Sequence, residues 1–185
     1  MFSMLKDFLP WILYSSIYLP GSGLFSVAIA ITLASIFIFC WKDIKDKFIL
    51  TIATLIYFSL LLILNLLFHW QWLKTDTWLI SNCVLAAIAF GSSLIGKPFT
   101  IQYAKRMVPE ERWENKLFIQ INYILTNVWG VIFLLGALVN YIYGQNTNSI
   151  SYFILSNIGW VIGAYFSKKF PDYWVKRQTP NSRSV

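Results

Sequence analysis

Charged side chains divide this sequence into long apolar blocks. No Asp, Glu, Lys or Arg occurs in 8–41, 48–73, 77–96 or 117–167, and an ionised side chain at a bilayer centre costs at least about 2.5–3.5 kcal/mol on insertion scales. A membrane-crossing helix needs about 20 predominantly apolar residues. The last block is therefore long enough for two, divided at the polar stretch Gly144, Gln145, Asn146, Thr147, Asn148. The pattern predicts helices near 22–41, 48–69, 77–96, 117–142 and 150–167. Long blocks, rather than short alternating runs, argue for helices over a β-barrel. The predicted fold is all-α: a polytopic membrane helical bundle with five transmembrane helices in one integral membrane domain, 1–185, ending in a cytoplasmic tail over 168–185.

The first apolar stretch, 8–23, does not fit that rule. Its run between Pro10 and Pro20 would make only about 15 Å of helix, half a bilayer. It is expected to lie at the interface or to dip in and return. A sixth, short span is the alternative, and it would bring the N-terminus to the other side. A cleaved signal peptide fits less well, because Asp7 follows Lys6 and no small-residue cleavage pattern precedes the first span.

Composition agrees with a membrane protein. The 185 residues are 57% hydrophobic, 18% aromatic and 12% charged, and mean hydropathy is +0.59, against about 25% charged residues in soluble domains. Lys42–Lys47, Lys97–Lys116 and the tail from Lys168 carry three, five and five basic residues, thirteen of the fifteen in the chain. The positive-inside rule assigns those segments to the cytoplasm. The C-terminus is then predicted inside and the N-terminus outside. The net charge of +7 is a topological feature rather than a nucleic-acid surface, since it is spread over three membrane-flanking segments. Trp41, Trp113 and Trp174 fall near the predicted inner face and Trp70, Trp72 and Trp78 near the outer one, as interfacial anchors do.

GSSLIGKP, 91–98, spells most of a P-loop. A working P-loop follows a strand, opens a helix and places Ser or Thr after its lysine. Here an apolar helix precedes it, the motif sits at that helix's C-terminal end, and Pro98 follows Lys97. It reads as a capped helix end, with Gly96 as the cap and Lys97 complementing the helix dipole. The following loop, 99–116, places Phe99, Tyr103 and Met107 four residues apart, the spacing of a short helix lying on the membrane. Pro109, Glu110 and Glu111 read as the first turn of the fourth span. Lys97, Pro98, Tyr103, Lys105, Arg106 and Trp113 are the candidate contacts to lipid or a partner, beside the plainer reading of the loop as a topology determinant.

Catalytic groups are sparse. His69 is the single histidine, and the eight carboxylates all fall in loops or tails. No proton-carrying side chain is expected within a span, and no enzyme activity, cofactor or metal site is predicted. Cys40 and Cys83 lie at different depths, so no disulfide is expected. Asn122, Asn127, Trp129, Asn140 and Asn157 are the candidate intramembrane polar contacts, with Asn65 and Asn82 as further polar positions in the spans. Such hydrogen bonds contribute about 0.6 kcal/mol each. The Trp129 indole N–H needs a partner, and Asn127, Asn122 or Asn157 could supply it. Ala87 with Gly91, and Gly159 with Gly163, have the small-x-x-x-small spacing of close helix packing, within the bundle or between copies.

Asp7, Phe8, Leu9 and Pro10, the Trp41-Lys42 pair, Lys97-Pro98, and Trp129, Phe133 and Asn140 together resemble the bacterial intracellular septation protein A family of small inner-membrane proteins. That resemblance implies a nonenzymatic role in cell envelope biogenesis, septation and membrane homeostasis, in the inner membrane, through contacts with lipids or with envelope-synthesis and division proteins. Homo-oligomers fit the small-residue pairs, and nucleic acid is not expected as a partner. The contrasting reading is a small transporter or channel for an uncharged or lipidic solute, with the asparagines lining a path. A continuous polar cavity reaching Asn122, Asn127 and Asn157 would favour it.

Overall fold

The computed structural model describes residues 2–18, 23–68, 71–143 and 150–178, without the side chains of 2, 3, 5, 71, 150–153, 156 and 157. His69 and Trp70 lie outside the described residues. In chain order the helices are α1 (Phe2–Asp7), α2 (Leu9–Ile17), α3 (Phe25–Phe39), α4 (Trp41–Lys45), α5 (Ile49–Phe68), α6 (Gln71–Thr75), α7 (Thr77–Leu94), α8 (Phe99–Lys105), α9 (Lys116–Tyr143) and α10 (Ile150–Gln178). A 3₁₀ turn, Glu110–Arg112, precedes α9, and no strand occurs among the described residues.

Three helices, α5, α7 and α9, are long and apolar enough to cross a membrane. Each buries one helical stripe. In α5 the stripe is Leu50, Thr51, Thr54, Phe58, Leu61 and Asn65, at the three- and four-residue spacing of one helix face. The opposite faces are apolar and bare: Leu67 of α5 is 68% exposed, Leu94 of α7 87% and Ile142 of α9 68%. Both faces are thus largely apolar, with polar side chains such as Thr51, Thr54 and Asn65 on the buried one, and a hydrocarbon solvent accounts for the apolar exterior.

α9 lies between α7 and α10, with α8 packed against it, while α3 packs on α2 and α5. Close approach depends on glycine at some crossings. A Cβ at Gly159 would sit 2.9 Å from Ile132, and one at Gly163 2.9 Å from both Ile132 and Trp129. The Gly159/Gly163 pair thus seats α10 on α9. Ala87 is exposed, and a Cβ at Gly91 would meet nothing within 4 Å, so that pair makes no close contact inside the chain.

The end of α7 follows the capping read from GSSLIGKP. Gly96 has φ +77°, its N–H reaches the Ser93 carbonyl at 3.0 Å, and the Lys97 N–H reaches Ser92 at 2.9 Å. This paired bonding is a Schellman cap. Both amides that a phosphate would need are spent on helix carbonyls.

Three expectations change. α10 continues through Pro171 to Gln178, so much of the expected tail is helix. Glu110 and Glu111 belong to a separate 3₁₀ turn, and Asn115 caps α9 instead, its Oδ1 accepting the Leu117 N–H at 2.8 Å. The largest change is at the N-terminus. Pro10 falls in the first turn of α2, where its missing N–H has no intrahelical partner to lose, so it does not break the segment. The segment is not peripheral either. Asp7 meets Thr51 near the start of α5, the Trp11 indole donates to Thr54 Oγ1 at 3.0 Å, Tyr14 meets Thr77 Oγ1 at 2.9 Å, and the Tyr18 hydroxyl donates to the Lys74 carbonyl at 2.9 Å. The chain from Asp7 to Tyr18 therefore runs through the bundle, from the end holding α4 and α8 to the end holding α6. Lys6 and Asp7 thereby lie beside α4 and α8, through the Lys6–Asp43 and Asp7–Tyr103 contacts.

Candidate functional site: a buried charge cluster and its neighbouring cavity

Five elements converge at the basic end. α1 supplies Lys6 and Asp7, the C-cap of α3 supplies Cys40, α4 supplies Asp43, α5 supplies Thr51, and α8 with its C-cap supplies Tyr103 and Arg106. Asp7 and Asp43 are 1% and 0% exposed. Both fall outside the apolar blocks, in segments read as loops or tails, and both are nevertheless buried.

Their partners differ. Asp7 Oδ2 accepts hydrogen bonds from Thr51 Oγ1 at 2.6 Å and from the Tyr103 hydroxyl at 2.5 Å. Asp43 Oδ2 pairs with Lys6 Nζ at 2.5 Å, and its Oδ1 pairs with the Arg106 guanidinium. Arg106 also reaches Asp46 Oδ2 at 2.5 Å and lies 3.9 Å from the Phe48 ring centre. Burial raises the Asp7 carboxyl above the ordinary range, with the Thr51 and Tyr103 bonds opposing and the charge of Asp43 adding to the rise. Burial opposes ionisation of Asp43 too, but the bonds from Lys6 and Arg106 prevail and hold that carboxyl below the ordinary range. Two cations thus face two carboxylates, Asp43 and Asp46, while Asp7 keeps its proton most readily. Burial, with the nearby Asp7 charge, raises the Tyr103 phenol well above its ordinary value, so it acts as a neutral donor.

One ligand atom from each of Asp7, Cys40 and Asp43 lies within 4.8 Å of the others. The Lys6 ammonium and the Arg106 guanidinium already occupy Asp43, and two hydroxyls occupy Asp7. The arrangement is that of an internally neutralised clamp. Gln102 extends it: its Oε1 accepts the Ile49 N–H at 2.7 Å and its Nε2 donates to the Lys47 carbonyl at 3.2 Å. α8 therefore grips the α4–α5 turn at both a charged and a neutral point.

Behind Tyr103 opens a cavity of about 1180 Å³ between Met4, α8, α9 and α10. Thr100, Asn122 and Ser167 contribute polar atoms to its wall, Ile121, Leu125, Phe118 and Val108 apolar ones, and Arg112, Lys168, Asp172 and Lys176 line it with charge. Thr100 bonds across to α9, reaching the Asn122 carbonyl at 2.9 Å and Thr126 Oγ1 at 2.8 Å.

The remaining predicted contacts separate. Lys97 is exposed and Pro98 buried. Lys105 lies 4.7 Å over the Trp113 ring, whose indole donates to the Val108 carbonyl. Phe99 and Tyr103 are 0% and 3% exposed while Met107 is 64% exposed. The face of α8 expected to lie on lipid is turned into the protein, because Tyr103 and Thr100 have polar partners there. Asn122 and Asn140 donate to the carbonyls four residues back, Phe118 and Gly136, at 2.8 and 2.7 Å. Asn127 is exposed, and the Asn157 side chain lies outside the described residues. Among the described side chains, neither Asn122 nor Asn127 takes up the Trp129 indole. Its N–H donates to Ser167 Oγ on α10 at 3.0 Å. Trp129 is fully buried and stacks on Phe8 with ring centres 5.0 Å apart, beside Phe133 and Trp160 at 5.5 and 5.8 Å. Two residues that carry the family resemblance, Phe8 and Trp129, are thus direct neighbours. No family model, curated protein or solved structure matches this chain.

Proposed function

We propose that this chain is a nonenzymatic inner-membrane protein that organises envelope components through contacts at its basic, cytoplasmic end. The supporting observation is the aromatic packing of Phe8, Trp129, Phe133 and Trp160, one stacked pair with tilted and edge-on neighbours, which occupies the interior between α2, α9 and α10. The cavity behind Tyr103 lies to one side of these rings, at the basic end. Asn122 lines the cavity, whereas Asn127 is on the exterior, so the path expected of a transporter for uncharged solutes is not assembled by these residues.

In this reading residues 8–18 are a short sixth crossing, and five further crossings follow in α3, α5, α7, α9 and α10. Both termini are cytoplasmic. The positive-inside rule supports that orientation more strongly than before, because Lys6 joins the basic residues of the α4, α8 and α10 segments through its pair with Asp43. The likeness of Asp7–Pro10, Lys97-Pro98 and Trp129 to the septation protein family supports an envelope role.

Reporter fusions at each terminus and in the 143–149 loop test the orientation: both termini should report cytoplasm and the loop the opposite side. An N-terminal reporter active outside would overturn it. Crosslinking from Lys97 and Met107 in living cells tests the role, and capture of envelope-synthesis or division proteins is expected. Recovery of none would remove the support for an organising function.

A further inference from the structure

We infer that the cavity behind Tyr103 is a binding site for one anionic phospholipid, with its acyl chain inside and its headgroup at the basic mouth. The inference rests on the orientation proposed above only in taking the basic end as a membrane face.

Size comes first. About 1180 Å³ exceeds the roughly 300–1,000 Å³ of ordinary small-molecule sites, which suits an amphiphile better than a metabolite. The chemistry is also divided. Phe118, Ile121 and Leu125 give α9 an apolar wall, matching an acyl chain, while Arg112, Lys168 and Lys176 bring three cations against the single carboxylate of Asp172. Among the described residues, none of these three cations makes an ion pair with a carboxylate, unlike Lys6 and Arg106 in the adjacent cluster. Unneutralised cations beside an apolar pocket complement a phosphodiester attached to a hydrocarbon chain.

A buried polar atom gives a second, independent sign. Asn122 is 2% exposed, and its Oδ1 accepts no hydrogen bond although its Nδ2 is satisfied within α9. A buried amide oxygen left unpaired is costly. Asn122 lines the cavity beside Ile121 and Leu125, at the level of the acyl chain, so a water enclosed with the chain, and not the headgroup at the mouth, supplies the missing donor. The placement also suits a lipid: α10 is 29 residues long, about 43 Å, so its Lys168–Lys176 part passes beyond a roughly 30 Å hydrocarbon core to headgroup level.

The experiment uses the full-length protein purified in a neutral detergent and presented with defined lipids, with bound lipid counted by native mass spectrometry. One phosphatidylglycerol should remain bound per chain, and phosphatidylcholine of the same acyl composition should bind at least ten-fold more weakly. The Arg112→Ala, Lys168→Ala, Lys176→Ala triple variant alters only exposed cations and should weaken phosphatidylglycerol binding on the order of 100-fold. Val108→Trp, which narrows the pocket and keeps the cations, should weaken retention of the lipid while leaving the protein's folding temperature near wild type. Inorganic phosphate at millimolar concentration should compete weakly, because it lacks the chain. Equal binding of both lipids, or undiminished phosphatidylglycerol in both variants, overturns the inference. Phosphate competing as well as the lipid would mean an anion site without a tail pocket and would overturn it too. Reporter topology and crosslinking are unaffected by these outcomes, so failure of the lipid site is separable from failure of the organising role.

Discussion

Asp7 and Asp43 are both buried, yet replacing each by asparagine should have unequal consequences. Asp43→Asn keeps the side chain's shape and removes the charge that Lys6 and Arg106 face. Breaking a fully buried pair costs about 3–5 kcal/mol. Here the two cations are 33% and 25% exposed and Asp46 still holds Arg106, so part of their charge can turn to headgroups or water. That reduces the expected loss to about 2–3 kcal/mol. Asp7→Asn is different: burial shifts Asp7 toward its neutral form, and an amide oxygen can accept the bonds from Thr51 and Tyr103 while the amide N–H₂ faces Asp43. Its cost should stay below about 1 kcal/mol. For a chain of this length each kcal/mol corresponds to roughly 2–4 °C in Tm. Asp43→Asn should therefore lower Tm by about 4–12 °C and Asp7→Asn by no more than about 4 °C. A suitable reporter is built in, since Cys40 is wholly buried beside both aspartates and Cys83 is exposed. In a Cys83→Ser background, heating with a fluorogenic maleimide reads the opening of this cluster directly. Equal losses, or a larger loss for Asp7→Asn, would refute the assignment of the charge to Asp43.

The same assignment fixes the pH dependence. Asp7 has a raised carboxyl, so its contribution is fully present below the unfolded value of about 3.9 and declines as pH rises from there through the folded value. Asp7→Asn should remove that decline, whereas Asp43, held low, contributes stability that is present above about pH 3.9 and lost as pH falls through its folded value; melting curves from pH 3 to 7 check both slopes. Gly163→Ala pushes a methyl into Trp129 and Ile132 and should cost about 1–3 kcal/mol, while Gly91→Ala meets open space and should be neutral or stabilising by up to about 1 kcal/mol; the pair compared by thermal unfolding tests which glycine seats a helix. Gly96→Ala places a Cβ at φ +77° and should cost about 1–2 kcal/mol through the α7 cap. Phe8→Ala leaves a void beside Trp129 and Trp160, should cost about 3–5 kcal/mol, and should shift the tryptophan emission of the folded protein.

Hydrophobicity alone was enough to read the main helices, because lipid imposes its requirement on every exposed position of a span. α5, α7 and α9 follow the charge-free blocks to within a few residues, and the Gly96 cap follows from local backbone chemistry that needs no distant partner. The place of the N-terminal segment was hidden for the opposite reason. Its helix is as short as the apolar run implied, nine residues in α2, and nothing local records that Asp7 has Thr51 and Tyr103 as partners. Asp43 and Lys6 are separated by most of two helices, so their pairing exists only once α1 is threaded beside α4. Trp129 likewise needs a donor's partner, which sequence proximity assigned to asparagine and the packing of α10 assigned to Ser167. The sequence by itself determined an all-helical chain with apolar membrane-length segments and most of its basic charge in three segments. Only tertiary packing decided which charges are buried and paired and which stand free at the cavity mouth, because burial and ion pairing depend on distances between elements that one-dimensional hydropathy does not contain.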